Sequence, residues 1–452
     1  MDLGSLLAGL DVGTTSVKAV LMTPEGDDVA YGRVPTVWTE TEHGVEADPD
    51  SIAESAVQAL REALRGLARA RVSSIGVASM AESGVLVRGD DSPVAPVIAW
   101  HDTRDTRQLA DLDASLGGER FSIRTGLPLW TQWSLTKHRW LKDNVPSVAQ
   151  AVRRYNIAEW VVRRLGGSPA TELSLASRTG WLDLATGTPW TESLSWSGAP
   201  TRLLGDLVAA GTSLGTASSS HELEPIRGAT LTVAGHDHQA AVIGASAFGD
   251  NDELDSCGTA EALVRTIKPG LSDSALAALT DAGVTVGWHA VADRWCVLGA
   301  SQGGLVLQQV IAQMDVARDG LAALDAAALN ARPDATTFTW HEGHAGFILS
   351  GSTDPADAWR AATIAVTEQA QELSSYISAS TGARGSLIVT GGWSHSSALM
   401  AAKAAIMGPL TRSSVQEAGA RGAALLGGIA HGTYQSLNDT PPAPSGDSPV
   451  RR

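Results

Sequence analysis

Leu6-Leu7-Ala8-Gly9-Leu10-Asp11-Val12-Gly13-Thr14-Thr15-Ser16-Val17-Lys18-Ala19-Val20-Leu21-Met22 is the stretch on which the fold of this chain turns. An apolar run ends at a carboxylate, crosses a Gly/Thr/Ser segment and resumes as a second apolar run. Two short apolar runs around such a turn predict a β-hairpin, closed by Pro24-Glu25-Gly26. The turn sets a carboxylate at a strand end with small and hydroxyl residues after it. Glycine lets a backbone approach a phosphate, N–H and hydroxyl groups donate to its oxygens, and Asp11 could hold a hydrated Mg²⁺. The same residues also suit an ordinary hairpin turn, so the turn alone leaves both readings open.

Moving outward, the period changes. Ile52, Ala56, Val57, Leu60 and Leu64 fall at helical spacing within Asp50 to Ala70, with Asp50 or Ser51 as the expected N-cap. Ile75 to Ala78 and Val97 to Trp100 read as strands, and strands alternating with helices make an α/β chain. Trp-rich segments, Leu129 to Trp140 and Trp181 to Trp196, alternate with a helix expected over Ile157 to Leu165. Thr212 to Ser220 is rich in Thr, Ser and Gly and is followed by Pro225 and Gly228, which reads as a domain junction. The expected domains are therefore 1–228 and 229–436, with a disordered Pro/Ser-rich tail over 437–452. After the junction come a strand (Leu231 to Ala234), a small-residue helix (His238 to Ala247) and two strands in Glu253 to Val264 around Gly258-Thr259. That second Gly-Thr turn echoes the first, and two opposed turns could grip one triphosphate across a cleft.

Composition narrows the classes. The 452 residues carry 33 Lys plus Arg against 49 Asp plus Glu, a formal charge of −16, which argues against a nucleic-acid or anionic-membrane partner. A 43 % hydrophobic and 18 % charged composition describes a globular protein with ample core. Two cysteines make no disulfide framework, no signal peptide is read at the N-terminus and no apolar run suits a membrane span, so a cytoplasmic location is expected.

Asp237, in Gly235-His236-Asp237-His238-Gln239, follows a strand and opens a helix, where a carboxylate can take a proton from a substrate hydroxyl or simply cap the helix. The flanking His236 and His238 match no zinc spacing. Gly391-Gly392 follows the apolar strand Leu387 to Thr390 and precedes a small-residue helix, Ser397 to Met407, so a nucleotide could lie against backbone and helix N-terminus. It is not G-x-G-x-x-G, and no Walker lysine motif occurs, which disfavours a Rossmann dehydrogenase and a P-loop enzyme.

Taken in order, these residues resemble the FGGY family of carbohydrate kinases from about Leu7 to Gly432. Asp11 to Lys18 is similar to the family's D-x-G-T-[TS]-S-x-K, and Ile98 to Arg104 to its I-x-W-x-D-x-R. Thr125-Gly126-Leu127-Pro128 with Lys137 and Trp140, Ala176-Ser177-Arg178-Thr179, Asp237 to Gly244, Gly391-Gly392 and Glu417 to Ala424 resemble further family segments. The resemblance implies a two-domain α/β actin/hexokinase-like (ribonuclease H-like) ATPase fold with an interdomain cleft, and ATP and Mg²⁺ in the reaction. It implies Asp237 as general base, Asp11 on Mg²⁺ through water, and Gly13, Thr14, Thr15, Lys18, Gly258, Thr259, Gly391 and Gly392 on ATP. Glu82, Trp100, Gln132 and His236, with Asp237, would meet the acceptor. Met80-Ala81 stands where glycerol kinases have Gln-Arg, and Trp393 where xylulokinases have a third glycine. Dimers are common in such kinases, so a homodimer is possible by analogy. The expectation is an ATP-dependent kinase of a small sugar or polyol; the alternatives are an actin-like or chaperone-like ATPase and a sugar-binding member without transfer. With Lys18 and Arg104 the candidate cations near the motifs, an acidic acceptor is disfavoured.

Overall fold

The computed structural model describes residues 5–67, 70–317, 320–332, 334–341 and 346–444. It divides into two compact units. Unit 1 comprises residues 1–246, 268–296 and 417–443, and unit 2 comprises 247–267, 297–416 and 444–452.

Unit 1 is built on five strands, β1 (Ser5–Val12), β2 (Ser16–Met22), β3 (Asp28–Pro35), β4 (Arg71–Ser79) and β5 (Thr230–His236), in the order β5-β4-β1-β2-β3. β1 and β2 form the expected hairpin, with Asp11 opposite Lys18 and the turn closed by Gly13 N–H donating to the Ser16 carbonyl at 3.2 Å. β4 runs parallel to β1, and β5 parallel to β4. Side chains alternate across the sheet. Leu6, Ala8, Leu10 and Val12 enter a core shared with Ile52, Ala56 and Leu60 of helix α1 (Pro49–Ala63) and with Trp160 and Val161 of α2 (Ile157–Leu165). Leu7 faces the other way, into a core with Ile243 of α3 (Asp237–Gly244) and Ala420, Ala423 and Ala424 of a closing helix, Ala418–His431. The N-cap of α1 is Asp48, not Asp50 or Ser51, because Pro49 takes the first helical position and the Asp48 carboxylate accepts from Asp50 N–H. The Trp-rich segments build a core of their own around Trp133, Trp181 and Trp190.

The boundary expected at 228/229 is corrected by pairing. β5 is hydrogen-bonded to β4 and the closing helix packs on the same sheet, so segments from both sides of that position, down to residue 443, belong to unit 1. The expected disordered tail is corrected in part. Leu437–Asp439 form a 3₁₀ turn and the Pro444 carbonyl accepts from Ser414 N–H at 3.0 Å; residues 445–452 lie outside the described residues.

In unit 2, β6 (Glu253–Cys257) pairs antiparallel with β7 (Glu261–Ile267) and parallel with β8 (Leu387–Thr390), and β9 (Thr411–Arg412) runs parallel to β8. Its core gathers Val306, Leu307, Trp359, Val366, Val389 and Leu399.

Glycines decide how closely the closing helix approaches. A Cβ on Gly9 would overlap the carbonyl oxygen of Ala420, one on Gly76 that of Ala423, and one on Gly422 that of Ala240 in α3. In an isolated helix Gly→Ala stabilises by about 1 kcal/mol. Here backbone meets backbone, so Gly422→Ala is expected to destabilise by about 2–3 kcal/mol, measured by urea denaturation. A gain in stability would mean the helix does not need that contact.

Candidate active site

Val12 of β1 and His236 of β5 are both in register with Ser79 of β4. Three parallel strands therefore end side by side, and each runs directly into a segment singled out from the sequence: Gly13 to Ser16, Met80 to Glu82, and Asp237. In open α/β sheets this carboxyl edge is where ligands bind.

At the end of β1, Asp11 is buried, and a Cβ on Gly419 would sit 2.8 Å from its Oδ2, so the carboxylate lies against the first turn of the closing helix. Oδ2 meets Lys18 Nζ at 3.4 Å, while Oδ1 is buried without a hydrogen-bond partner among the described residues. Lys18 also pairs with Glu417 at 3.2 Å, and its pKa is raised, chiefly by Asp11. The turn is braced from outside. Thr36 donates to the Gly13 carbonyl at 2.7 Å, Trp38 Nε1–H to the Thr14 carbonyl at 2.8 Å, and Trp100 Nε1–H to Thr14 Oγ1 at 2.8 Å. Trp100 is thus tied to the first turn, and the Thr14 hydroxyl donates in turn to Met80 Sδ at 3.9 Å. Thr15 is exposed. Arg104 is engaged by Asp102 at 2.9 Å and by Glu46, with its guanidinium over the Trp140 ring, so it is a structural cation.

At the end of β4, Glu82 is 4 % exposed, which overturns any reading as a solvated loop carboxylate. Its backbone is left-handed, φ 64°, a conformation side chains rarely adopt. Ser134 Oγ and Arg154 Nη2 hold its carbonyl at 2.6 and 2.8 Å. Its Oε1 accepts from Arg178 Nε at 2.7 Å and Gln132 Nε2 at 3.3 Å. Arg178 in turn donates to Thr285 at 2.7 Å and lies over the Trp133 ring.

At the end of β5, Asp237 is half-buried and its Oδ1 accepts from His238 N–H at 2.7 Å and lies 3.2 Å from His236 Nε2. Burial raises the Asp237 pKa to about 6; His238 works against that shift, and the nearby Asp11 and Glu82 charges add to it. His236 is buried, and burial, then Arg178, push its pKa well below the usual range, so its ring is neutral. Its Nδ1 has no hydrogen-bond partner among the described residues. Behind it, Gly235 (φ 89°) leaves room for Ser174 Oγ, which accepts from His236 N–H at 3.1 Å and donates to Glu172 at 2.6 Å.

Unit 2 shows the same arrangement. Gly258 follows β6 and Gly391 follows the parallel β8, so the two glycine turns are neighbours; a Cβ on Gly391 (φ 93°) would lie 2.6 Å from the Cys257 carbonyl oxygen. Thr259 is exposed, and Gly392 borders open space. The N-terminus of helix Ser397–Ile406 differs from expectation. Asp325 accepts from Ser397 N–H and, at 3.3 Å, from Ala398 N–H, so a carboxylate of this chain already occupies the place envisaged for a nucleotide. Asp255, Cys257 and Glu261 form a metal-sized grouping among the described residues, but Lys403 Nζ sits 2.5 Å from both carboxylates. Burial opposes the charge on Lys403, yet Asp255, Cys257 and Glu261 outweigh it and raise its pKa. The cluster is a closed ion network.

A model of the N-terminal domain of the FGGY family of carbohydrate kinases matches residues 6–244. The chain belongs to that family. It is similar to a glycerol kinase of Leifsonia xyli subsp. xyli, 29 % identical over 96 % of this chain and 90 % of the relative. Among solved structures it resembles the xylulose kinase of Rhodospirillum rubrum (TM-score 0.87, 22 % identity, covering 99 % of this chain and 94 % of the other) and the gluconate kinase of Lactobacillus acidophilus (TM-score 0.85, 21 %, 99 % and 94 %). The fold is the actin/hexokinase-like ATPase fold of these kinases, and the chain is an ATP-dependent phosphotransferase acting on a sugar or polyol. An actin-like or chaperone-like ATPase is set aside. Among the described residues no helix is long and apolar enough to cross a membrane.

Arg178, Asp325 and Lys403 escaped the sequence reading. The Ala176-Ser177-Arg178-Thr179 motif, an arginine among small residues, held the signal for Arg178. Lys403→Met would leave two buried carboxylates unpaired, and a loss of about 3–5 kcal/mol is expected by thermal and denaturant unfolding. A loss under about 1 kcal/mol would show that the network relaxes without the cation.

Proposed function

We propose that the chain transfers the γ-phosphoryl group of ATP to a hydroxyl, a primary one, of a small sugar or polyol such as a ketose, with Asp237 as general base. The register that ends three strands beside one another carries this reading, because it gathers phosphate donors, an acceptor-facing carboxylate and a base on one sheet edge. His238 N–H donates to Asp237 Oδ1, beside which His236 Nε2 lies at 3.2 Å, and this leaves Oδ2 for the acceptor hydroxyl. As the acceptor oxygen bonds to the γ-phosphorus, its proton passes to Asp237 and ADP leaves. Phosphoryl transfer demands chiefly positioning and charge neutralisation.

The Gly13 turn with Thr14, Thr15 and Lys18 would meet phosphate oxygens. Gly258, Thr259, Gly391 and Gly392 would serve the nucleotide from unit 2 through backbone and hydroxyl, without the helix N-terminus that Asp325 fills. The buried, unpartnered Asp11 Oδ1 suits an acceptor for a metal-bound water, so Asp11 would hold Mg²⁺ through water. Mg²⁺ there supplies charge neutralisation on the phosphates. Glu82, Gln132, Trp100 and His236 would line the acceptor.

A coupled ADP-release screen with Mg-ATP across glycerol, tetritols, ketoses and aldoses tests the activity; release above the no-acceptor rate supports it, and a flat panel with ATP bound favours a sugar-binding member without transfer. Asp237→Asn is expected to lower kcat by about 10³-fold with ATP affinity changed less than about 2-fold, and near-wild-type turnover would remove Asp237 as base. A base must be ionised to accept a proton, and the Asp237 pKa is raised to about 6. Acceptor kcat/KM should therefore fall tenfold per pH unit as pH drops below about 6, a limb absent from Asp237→Asn. A profile flat from pH 5 to 7 would contradict the assignment.

A further inference from the structure

We propose that Glu82 and Arg178 form one fixed ion pair that restricts the acceptor to uncharged polyhydroxy compounds and selects against those carrying a carboxylate. The proposal rests on the kinase reading above and names the acceptor class for the same site. Both side chains are buried, and the 2.7 Å bond from Arg178 Nε to Glu82 Oε1 joins them. The pair has little freedom to open. The left-handed backbone of Glu82 is pinned at its carbonyl by Ser134 and Arg154, and Arg178 is anchored by Thr285 and the Trp133 ring.

The remaining cations of unit 1 near these strand ends are committed as well. Lys18 is held by Asp11 and Glu417, and Lys137 by Asp105 and the carbonyls of Asp102 and Thr131. Arg154 is spent on Asn156 and the Glu82 carbonyl. The lysines and arginines described at these strand ends are each engaged by acids or carbonyls of the chain, Lys18 being assigned above to the phosphates, while Asp11, Glu82 and Asp237 stand at adjacent strand ends. An acidic acceptor would lose hydration beside these carboxylates without an ionic partner of its own. A neutral hydroxyl asks for less. Glu82 Oε2 accepts from none of the described donors that hold Oε1, so a hydroxyl can donate to it.

The test uses the full chain with Mg-ATP at pH 7.5 and acceptors matched in chain length: glycerol, erythritol, xylitol, D-xylulose and D-fructose against glycerate, D-xylonate and D-gluconate. The best neutral acceptor is expected to exceed the best acid by at least ~100-fold in kcat/KM. Glu82→Gln, which leaves the Arg178 charge uncompensated, should narrow that ratio by ~10-fold or more through the acceptor KM, and Arg178→Gln should not narrow it. Inhibition of the wild type by xylitol and by xylonate gives the same comparison without a variant, and xylitol should bind more tightly. An acid used as well as any neutral compound, or a ratio that Glu82→Gln leaves unchanged, overturns the ion-pair proposal and leaves the kinase reading standing. No turnover with any compound overturns the kinase reading, and the acceptor class with it.

Discussion

Backbone-to-backbone contact between the closing helix and the sheet of unit 1 is the constraint on which the rest of that unit depends. At Gly9 and Gly76 no side chain separates the two, and helix carbonyl oxygens lie where a Cβ would otherwise project; Gly422 lets the closing helix approach α3 in the same way. So close an approach fixes the height of the helix over the strands, because a clash of this kind has a steep energy and no rotamer relieves it. That height sets where Asp11 meets the first helical turn. The partial positive charge of the turn favours the carboxylate, and Glu417, just before it, reaches Lys18 on β2. A structural contact made of glycines thus positions the residues assigned to the phosphates and the metal.

The candidate site is assembled from groups that oppose one another. Three carboxylates stand at adjacent strand ends, one of them on a strained backbone, and each is restrained by a partner within the chain. The lysine on β2 balances Asp11, an arginine from a distant turn balances Glu82, and the backbone N–H of His238 donates to one oxygen of Asp237. Strain and like charge are tolerated where a site must be set before its substrate arrives. The neutral His236 fits this pattern, since a charged ring would pull the Asp237 pKa down and weaken it in the proposed role of base at neutral pH.

What could be read from the sequence was local. The hairpin around Asp11, the helix Ile157–Leu165 and the strand Leu387–Thr390 announce themselves through apolar period and bounding turn residues, and the structure places them there. The strand ends bearing Asp11, Glu82 and Asp237 were legible as separate segments; their registration was not, because parallel pairing leaves no mark on neighbouring residues. The same reason hid the partnership of Glu82 with Arg178, 96 residues apart, and the capture of a helix N-terminus by Asp325. It also misplaced the junction at residue 229, where a composition shift coincides with a strand that rejoins the first sheet. The cap of α1 was missed more simply: Pro49 moves the cap one residue upstream of itself, onto Asp48, and away from the expected Asp50 and Ser51.

The interrupted course of unit 1 also has a consequence for biogenesis. A ribosome releasing the chain from its N-terminus exposes four strands and α1 long before β5 emerges, and the closing helix comes later still, after most of unit 2. Until then one face of a largely apolar sheet has no cover, and its glycine-lined groove is open to any passing helix or strand edge. Long-range closure of this kind is slow, because the entropy of the intervening loop is lost before the contacts form. The nascent chain should therefore lean on holdase chaperones late in synthesis, and a fragment ending before residue 418 should aggregate rather than survive as a half-finished enzyme.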